Sequence, residues 1–391
     1  MVIAMARETA ARLRKIPPYL FADIEARVRA KMAQGVDIID FGIGDPDLPT
    51  PSEIVEELAK QAKSPGNNQY STSSGEEETR EAIAEWYERR FNVRLDPEKE
   101  VVITMGSKEG LIDFCRAYVN PGDRVLVPDP AYPVYAQGGT LLSEGVPVRV
   151  PLLPEKSFLM DLKSIPAGCK IVFANYPNNP TAAVATRDYL KELVKWGRGT
   201  ETIVCYDNAY SEMTFDGYVA PSILEYGRDC IEFGSLSKTF NMTGYRIGYA
   251  VGDPDLISGL KKVKSQVDSG VPKFIQKAAV FAFGMYKDGG RPPAVEKNVS
   301  IYRERRDIMV AGLGRMGFNV DPPLGTFYLW FNCNEGSMNF ARKLLDAGVV
   351  VTPGIGFGEH GEGFVRMSLT QPVKRIEEAL ERIEKVLSSP A

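Results

Sequence analysis

The sequence predicts an α/β fold, with a three-layer large domain around a mostly parallel sheet and a smaller α+β domain. The chain has 391 residues, which exceeds the size at which a single hydrophobic core stops growing. Short apolar runs bounded by glycine or proline alternate with helical patterns, as expected when helices cover both faces of a sheet. The clearest linker is residues 287–293. We therefore expect an N-terminal arm with part of the small domain over residues 1–48, the large domain over residues 49–290 and the small domain over residues 291–391.

Amphipathic periodicity and turn residues define the elements before the large sheet. Pro17-Pro18 interrupts the start of the chain, and residues 42–51 form a loop rich in glycine and proline. Residues 38–41 are apolar enough for a short strand, and Ser52 is a suitable helix cap. Helices are predicted over residues 20–31, 52–62 and 76–90.

The centre of the chain holds the apolar runs that predict the large sheet. Its strands are expected over residues 101–104, 124–127, 147–150, 170–174, 202–206, 230–233 and 247–251. A helical pattern over residues 254–286 is interrupted near residues 270–272. In the small domain, strands are expected over residues 326–331 and 364–369, and a closing helix over residues 376–387.

Composition and charge are those of a soluble globular protein. Apolar residues make up 44%, charged residues 25%, and the net charge is -4 with both signs interspersed. This balance argues against nucleic acid as the main partner. The first apolar residues are cut short by Arg7 and Glu8, so a signal peptide is not expected. No stretch is long and apolar enough to span a bilayer, and we expect a cytoplasmic protein without a membrane partner.

Cysteine and histidine usage excludes several kinds of site. The five cysteines are scattered without a Cys-x-x-Cys pair, which favours reduced, buried thiols over disulfides or a zinc site. The single histidine, His360, excludes a His-rich metal centre, and no metal is expected. No Gly-x-Ser-x-Gly elbow accompanies it for a serine triad. Acid–base work therefore falls to lysine, tyrosine or carboxylates, and we expect His360 to be at most a loop residue near the site.

The stretch around Lys238 is the strongest functional signal. Ser235 and Ser237 precede this lysine, and Arg246 follows it by eight residues. Two hydroxyls and an arginine grouped in this way can hold a phosphate and leave the amine free for chemistry. A lysine among apolar neighbours is poorly placed for a merely solvated role, and burial would lower its pKa as an amine nucleophile requires.

Polar residues also follow the other predicted strands. Asp207 and Tyr210 come after one of them, and Asn179 follows another. An aspartate for a pyridinium nitrogen, a tyrosine for a ring oxygen and a lysine for an aldehyde are what pyridoxal 5′-phosphate requires. Asp207 could instead be a helix cap. Ser107 and Lys108 open a helix that could receive a phosphate, although a plain N-cap is about as common.

Residues at four strand ends can converge on one cleft, because ligands of open α/β sheets bind at the carboxyl ends of the strands. This repetition is a stronger signal than any single motif. Tyr132 could stack on a ring, although tyrosine beside proline is common in ordinary turns. Tyr70 and Arg366 also have ordinary alternatives, as surface or strand residues.

Three motifs resemble the signatures of class I and II aminotransferases, of the fold type I that binds pyridoxal 5′-phosphate. They are Asn-Tyr-Pro-Asn-Asn-Pro-Thr at residues 175–181, Tyr-Asp-Asn-Ala-Tyr at residues 206–210 and Ser-Leu-Ser-Lys-Thr-Phe-Asn-Met-Thr-Gly-Tyr-Arg-Ile-Gly at residues 235–248. The resemblance extends over about residues 17–372. It implies an enzyme that moves an amino group between an amino acid and a 2-oxo acid such as 2-oxoglutarate.

The resemblance implies roles for the residues that match the family motifs. Lys238 is similar to the lysine that binds the cofactor covalently, and Asp207 to the partner of its ring nitrogen. Other cofactor contacts are implied for Ser107, Lys108, Tyr132, Asn179, Tyr210, Ser235, Ser237 and Arg246. Tyr70 resembles a tyrosine that reaches the phosphate of the neighbouring subunit, which implies a homodimer. Arg366 resembles the arginine that binds the substrate α-carboxylate, assisted by Gly44.

Within the family, residues 17–21, 42–51 and 106–110 are most similar to LL-diaminopimelate aminotransferases of lysine biosynthesis. That similarity adds Tyr19, Lys108, Tyr132 and Asn179 as substrate contacts. Those enzymes carry a glutamate where this chain has Ser73. An aspartate- or alanine-type aminotransferase therefore stays an alternative.

Three other functions remain as alternatives. A β-lyase would share the lysine and the aspartate, so only product analysis separates it from a transferase. A regulatory module would need an added DNA-binding domain, which the short N-terminal arm cannot supply. A dinucleotide-dependent dehydrogenase would need a Gly-x-Gly-x-x-Gly motif after an early strand, whereas the glycine-rich residues 354–358 lie too late in the chain.

Overall fold

A computed structural model describes residues 7–17, 22–287 and 289–388, with side chains omitted for residues 22–24. The described strands, in chain order, are β1 (Ile39–Asp40), β2 (Val101–Thr104), β3 (Arg124–Asp129), β4 (Val146–Pro151), β5 (Ile171–Asn175), β6 (Ile203–Asp207), β7 (Ile231–Ser235), β8 (Gly248–Gly252), β9 (Tyr328–Asn332), β10 (Val349–Val350), β11 (Thr352–Pro353) and β12 (Phe364–Ser368).

Twelve α-helices lie within the described residues. They are α1 (Ala11–Arg14), α2 (Ala22–Ala33), α3 (Ser52–Ala62), α4 (Glu77–Phe91), α5 (Ser107–Tyr118), α6 (Arg187–Thr200), α7 (Leu236–Thr239), α8 (Pro254–Val267), α9 (Lys273–Gly284), α10 (Pro293–Arg315), α11 (Ser337–Asp346) and α12 (Val373–Leu387). A π-helical segment, Tyr135–Leu141, follows β3.

A seven-stranded sheet forms the centre of the molecule, in the order β2-β8-β7-β6-β5-β3-β4. Four of its six strand pairs are parallel, and only β8 runs against its two neighbours. The carboxyl ends of β2, β3, β5, β6 and β7 therefore lie along one edge, where α/β sheets bind their ligands. The strands β5 and β7 are buried along their whole length, and their residues are apolar or glycine apart from Glu232 and the polar residue at each carboxyl end.

A second, three-stranded antiparallel sheet has the order β11-β12-β9. The short strand β1 pairs in parallel with β10, so the N-terminal segment joins the C-terminal part of the chain. The long helix α10 runs between the two parts and packs on α12. The division at residues 48 and 290 stays a prediction.

The α/β fold with a mostly parallel sheet is confirmed, and each predicted strand overlaps an observed one within two residues at either end. The sequence patterns did not identify α6, α10 or α11 as helices. The predicted contact Tyr19 lies outside the described residues. In the part of the chain that is described, no helix is long and apolar enough to cross a membrane, and no cluster of three or more metal-ligating side chains occurs.

Candidate active site

A cleft of about 660 Å³ opens at the carboxyl edge of the large sheet and is closed on its other side by the small sheet. It collects predicted residues from both parts of the chain, namely Gly44, Ser107, Lys108, Tyr132, Asn179, Asp207, Tyr210, Lys238 and Arg366. The first residues of helix α5 and the residues after β3, β5, β6 and β7 all reach it. The parallel arrangement of these strands brings together side chains that are up to about 130 residues apart in the sequence, from Ser107 to Lys238.

The start of helix α5 provides backbone amides at the edge of this cleft. Its N-cap is Gly106, with φ of 80°, a backbone conformation that favours glycine. A Cβ atom at this position would lie 2.5 Å from Nη2 of Arg246, so the arginine packs directly on the turn. Arg246 is held there by donating to the carbonyl oxygens of Thr243 at 2.7 Å and Met105 at 3.3 Å. A helix N-terminus beside an arginine is a suitable phosphate site.

Ser235 and Ser237 lie one strand away from this turn. Ser235 is the N-cap of the short helix α7 and accepts a hydrogen bond from the backbone N–H of Ser237 at 3.1 Å. Both residues are buried. A Cβ on Gly248 would lie 2.8 Å from the backbone nitrogen of Ser107, so β8 and the start of α5 approach closely.

Lys238 is a half-buried amine that lies near the charges of two arginines and one aspartate. Its Nζ donates to the carbonyl oxygen of Gly44 at 2.9 Å. Burial, followed by the charges of Arg366 and Arg246, lowers the pKa of Lys238 to about 8, although Asp45 acts in the opposite direction. A substantial share of the amine is therefore neutral near physiological pH and able to act as a nucleophile or base.

Asp207 is a buried carboxylate at the end of β6. It accepts hydrogen bonds from the Tyr135 hydroxyl at 2.7 Å and from the backbone N–H of Ala209 at 3.3 Å. Burial raises the pKa of Asp207 to about 6, while these two bonds act to lower it. A carboxylate with a desolvation cost of this kind would be stabilised by a cation or a protonated nitrogen in the cleft.

Tyr132 and Tyr210 both line the cleft. The Tyr210 hydroxyl lies 3.0 Å from the hydroxyl of Tyr328, and burial raises the pKa of Tyr210 well above its ordinary value. Burial, reinforced by the charge of Asp207, raises the pKa of Tyr132 to about 12. Both phenols therefore stay protonated and can donate hydrogen bonds to a ligand oxygen.

Arg366 is fixed by contacts on several sides. Its Nη1 donates to Oδ1 of Asn179 at 2.8 Å and its Nη2 donates to the carbonyl oxygen of Gly42 at 2.7 Å. The guanidinium carbon lies 4.3 Å from the ring centre of Tyr328 and 4.8 Å from that of Phe357. Its Nε is buried without a hydrogen-bond partner among the described residues. A planar, oriented guanidinium with donors to spare is suited to a carboxylate.

The loop that carries Gly42 and Gly44 is anchored from behind by helix α10. Arg305 donates from Nη1 to Oδ1 of Asp47 at 2.7 Å and from Nη2 to Oδ2 at 2.9 Å. The same guanidinium donates to the carbonyl oxygen of Leu369 at 3.0 Å. This bidentate pair is almost fully buried on the arginine side, so it fixes the loop against the residues that follow β12.

Tyr70 has a different position from the other predicted residues. Its side chain is 86% exposed, and it does not line the cleft of its own chain. The prediction that it reaches the phosphate of a neighbouring subunit stays a prediction. An exposed aromatic side chain of this size is more common at an interface than on a free surface.

Several site residues were not found from the sequence. Tyr328 and Phe357 enclose Arg366, and Tyr135 holds Asp207. Asn175 at the end of β5 donates to the carbonyl oxygen of Asp207 at 2.8 Å and accepts from the backbone of Asn179 at 2.8 Å. Asn175 had a usable signal, because it ends a predicted strand in the same way as Asp207.

Comparisons with known proteins agree with this geometry. Residues 36–383 match the family model of aminotransferase class I and II. The LL-diaminopimelate aminotransferase of Desulforudis audaxviator is 48% identical over 97% of this chain and 97% of its own length. The enzyme with the same name from Aquifex aeolicus is 48% identical over 96% of this chain and 98% of its own.

Solved structures give the same result for the fold. Substrate-bound BacF from Bacillus subtilis superposes with a TM-score of 0.91 at 33% identity, over 97% of this chain and 98% of its own. The aspartate aminotransferase of Thermus thermophilus with maleate has a TM-score of 0.89 at 29% identity, over 97% of this chain and 100% of its own.

Proposed function

The chain belongs to the class I and II aminotransferases, enzymes that depend on pyridoxal 5′-phosphate, and from this premise we propose that it transfers an amino group from LL-diaminopimelate to 2-oxoglutarate. The observation that carries the proposal is the cleft itself. A half-buried amine, Lys238, shares it with a buried carboxylate, Asp207, and an oriented arginine, Arg366. The substrate is proposed from the relatives, which carry that name at 48% identity over nearly the whole chain.

The residues of the cleft fit the cofactor. The carboxylate of Asp207 would hold the ring nitrogen, and its desolvation would be offset by a protonated pyridine. The Tyr210 hydroxyl and Asn179 would bind the ring oxygen, and Tyr132 would lie against the ring. The phosphate would be held by Ser107, Lys108, Ser235, Ser237 and Arg246. When bound, pyridoxal 5′-phosphate withdraws electrons from the substrate Cα and so weakens its C–H bond.

The protein groups around the substrate perform binding and proton transfer. Arg366 would grip the α-carboxylate through its two Nη groups, and the backbone at Gly44 would assist. Tyr19 and Lys108 are further proposed substrate contacts. Lys238 would take the proton from Cα of the amino acid and, in the reverse half-reaction, would deliver a proton to Cα of the oxo acid, since an amine with a pKa of about 8 gives up and accepts protons readily near neutral pH. Such acid–base catalysis contributes roughly 10²–10⁴-fold to the rate.

The test of the substrate is a panel of amino donors with 2-oxoglutarate as acceptor. We expect glutamate formation with LL-diaminopimelate to exceed that with aspartate and alanine. Activity on aspartate without activity on diaminopimelate would favour the second candidate, an aspartate-type enzyme, for which Ser73 in place of the glutamate of the relatives is the specific support. Release of pyruvate and ammonia from cysteine-type substrates, without dependence on the oxo acid, would indicate a β-lyase.

The test of the mechanism is the variant Lys238→Ala. We expect it to lose turnover and to bind the cofactor without a covalent link, so that borohydride reduction labels the wild-type peptide containing Lys238 and leaves the variant unlabelled. Full activity of this variant would refute the assignment.

We also propose a cytoplasmic homodimer with shared active sites. The exposed Tyr70 supports the dimer, and five buried cysteines without disulfides support a reducing compartment. Mixing two inactive variants, Lys238→Ala and Tyr70→Ala, tests the sharing. A mixed dimer then contains one site with both native residues, so activity should reappear on subunit exchange. No recovery in dimers proven to be mixed would mean that each chain completes its own site.

A further inference from the structure

The single histidine of the chain lies next to the cleft rather than in it. His360 belongs to a loop formed by the 3₁₀ segments Gly354–Phe357 and Glu359–Gly361, which we call the histidine loop (residues 354–361). Its Nδ1 lies 3.0 Å from Oδ2 of Asp129, and its backbone nitrogen lies 3.4 Å from Oδ1 of the same carboxylate. The side chain of His360 is 38% exposed, whereas that of Asp129 is 2% exposed. The bond therefore joins the loop to a buried group at the end of β3.

The chemistry of the pair defines which atom donates. A carboxylate oxygen accepts, so the ring hydrogen is on Nδ1, and this holds for the neutral and the charged imidazole. The loop approaches Asp129 very closely, because a Cβ on Gly358 would lie 1.7 Å from Oδ1. The φ of Gly358 is 143°, which other residues rarely adopt. This geometry is specific to one docked position of the loop.

Both sides of this contact continue into the cleft. The backbone N–H of Ala131 donates to the carbonyl oxygen of Phe357 at 2.9 Å, so the chain after β3 is bonded to the histidine loop a second time. Phe357 lines the cleft, with its ring centre 4.8 Å from the guanidinium carbon of Arg366. Tyr132, the next residue after Ala131, lines the cleft from the other side. Displacement of the loop would therefore disturb the packing of Arg366.

We propose that His360 is a positioning residue, whose hydrogen bond to Asp129 docks the histidine loop on β3 and thereby holds Phe357 against Arg366 in the orientation that binds the substrate carboxylate. The inference rests on the proposed role of Arg366. It assigns His360 to substrate binding and not to the proton transfer, because no part of its ring lines the cleft. Its loss should change KM more than kcat.

The kinetic test compares His360→Ala and His360→Asn with the matched control Glu359→Gln, an exposed neighbour on the same loop. The substrates are 2-oxoglutarate and the best amino donor of the wild type. We expect the alanine variant to raise both KM values by about 3- to 10-fold with kcat within about 2-fold, as for the loss of one hydrogen bond to a charged group. The asparagine variant should have KM values close to those of the wild type, because its Nδ2 occupies the place of the ring Nδ1.

Unchanged KM values in His360→Ala, or an equal increase in the asparagine and alanine variants, would overturn the proposal. A loss confined to kcat would also overturn it. Thermal melting of each holoenzyme checks that the comparison is between folded proteins. If the alanine variant does not fold, His360→Gln, which displaces the donor by one methylene group, replaces it.

A second measurement does not depend on any substrate. The ring of Trp330 lies 6.0 Å from that of Phe357, so its fluorescence reports on the histidine loop. Acrylamide quenching should be greater in His360→Ala than in the wild type and Glu359→Gln. The difference should vanish in a Trp330→Phe background. Equal quenching would show that the loop stays docked without the imidazole. If the wild type is inactive with every amino acid, the proposed function is refuted. The quenching measurement alone then decides whether His360 docks the histidine loop.

Discussion

Replacement of Arg366 by lysine separates the shape of the guanidinium from its charge. The arginine donates to Asn179 and to the carbonyl oxygen of Gly42, and its guanidinium carbon lies 4.3 Å and 4.8 Å from the centres of two aromatic rings. A lysine keeps the positive charge but offers a single, compact ammonium group. It cannot form the two parallel hydrogen bonds that a carboxylate accepts from a guanidinium, and it cannot stack as a plane.

The size of the effect follows from these contacts. One charge-assisted hydrogen bond to the substrate is lost, at about 1.5–3 kcal/mol, and one buried acceptor among Asn179 and Gly42 loses its donor, at about 1–3 kcal/mol. The sum is about 2.5–6 kcal/mol, which corresponds to a decrease of roughly 10²–10⁴-fold in kcat/KM. Because both the amino acid and the oxo acid present a carboxylate, the KM values of both substrates should rise together.

The assay is steady-state kinetics of Arg366→Lys with Arg366→Gln as the companion variant. Arg366 contributes to the lowered pKa of Lys238 through its charge, so the glutamine variant should raise that pKa above about 8 whereas the lysine variant should leave it nearly unchanged. The pH dependence of cofactor reconstitution measures this pKa. KM values within about 3-fold of wild type in Arg366→Lys would refute the carboxylate role, since a bidentate contact worth tenfold or more could not then exist.

Further predictions follow from the same site. Burial raises the pKa of Asp207 to about 6, against about 3.9 in an unfolded chain, so the folded protein binds more protons between these values and cofactor-free stability should fall by about 2 kcal/mol as pH rises from about 4 to about 6. Urea unfolding of Asp207→Asn should show no such fall in the free energy of unfolding. An unchanged pH dependence in this variant would contradict the raised pKa of Asp207. The rate at which cofactor-free protein takes up pyridoxal 5′-phosphate should rise with pH around a midpoint of about 8, the pKa of Lys238, and a midpoint above 10 would contradict its burial. Tyr328→Phe removes the hydroxyl next to that of Tyr210 and should lower kcat/KM by about tenfold, as expected for one lost hydrogen bond, while a change below twofold would mean that Tyr328 acts by packing alone.

The sequence located the strands well because most of them are short buried runs with a sharp boundary. The strand β2 is observed at the predicted residues, and the polar ends of β5 and β6 were visible as breaks in the apolar pattern. The direction of β8 could not be read in this way. Apolar runs have the same appearance in either direction, and direction depends on how the segment between β7 and β8 turns back.

The longest of the helices that sequence patterns missed has buried charged residues on its inner face. Helix α10 buries Arg305 and Arg306 beside Val299 and Met309, so charged residues interrupt its apolar stripe. Arg305 is buried because Asp47 pairs with it from a distant loop, and Arg306 because Asp216 and a carbonyl oxygen do. Such partners are known only once the fold is known.

The predicted site residues were those with distinctive chemistry, and the missed ones support them through packing or hydrogen bonds. Lys238 and Asp207 were conspicuous because a charged side chain after a buried strand requires an explanation. Tyr328 and Phe357 are aromatic residues in aromatic surroundings, and their importance arises from their contacts with Arg366 and, for Tyr328, with the Tyr210 hydroxyl. No local pattern reports a contact between a C-terminal strand and a loop.

The charges of the cleft serve binding and acid–base chemistry together. Arg246 and Arg366 would attract a phosphate and a carboxylate, and the same two charges help to lower the pKa of Lys238. An anion bound at either arginine screens part of that repulsion, so the amine becomes more basic as the site fills. The lysine is thus most reactive as a nucleophile in the empty cleft and a stronger base once substrate is bound. This order suits an amine that must first react with the cofactor and later remove a proton.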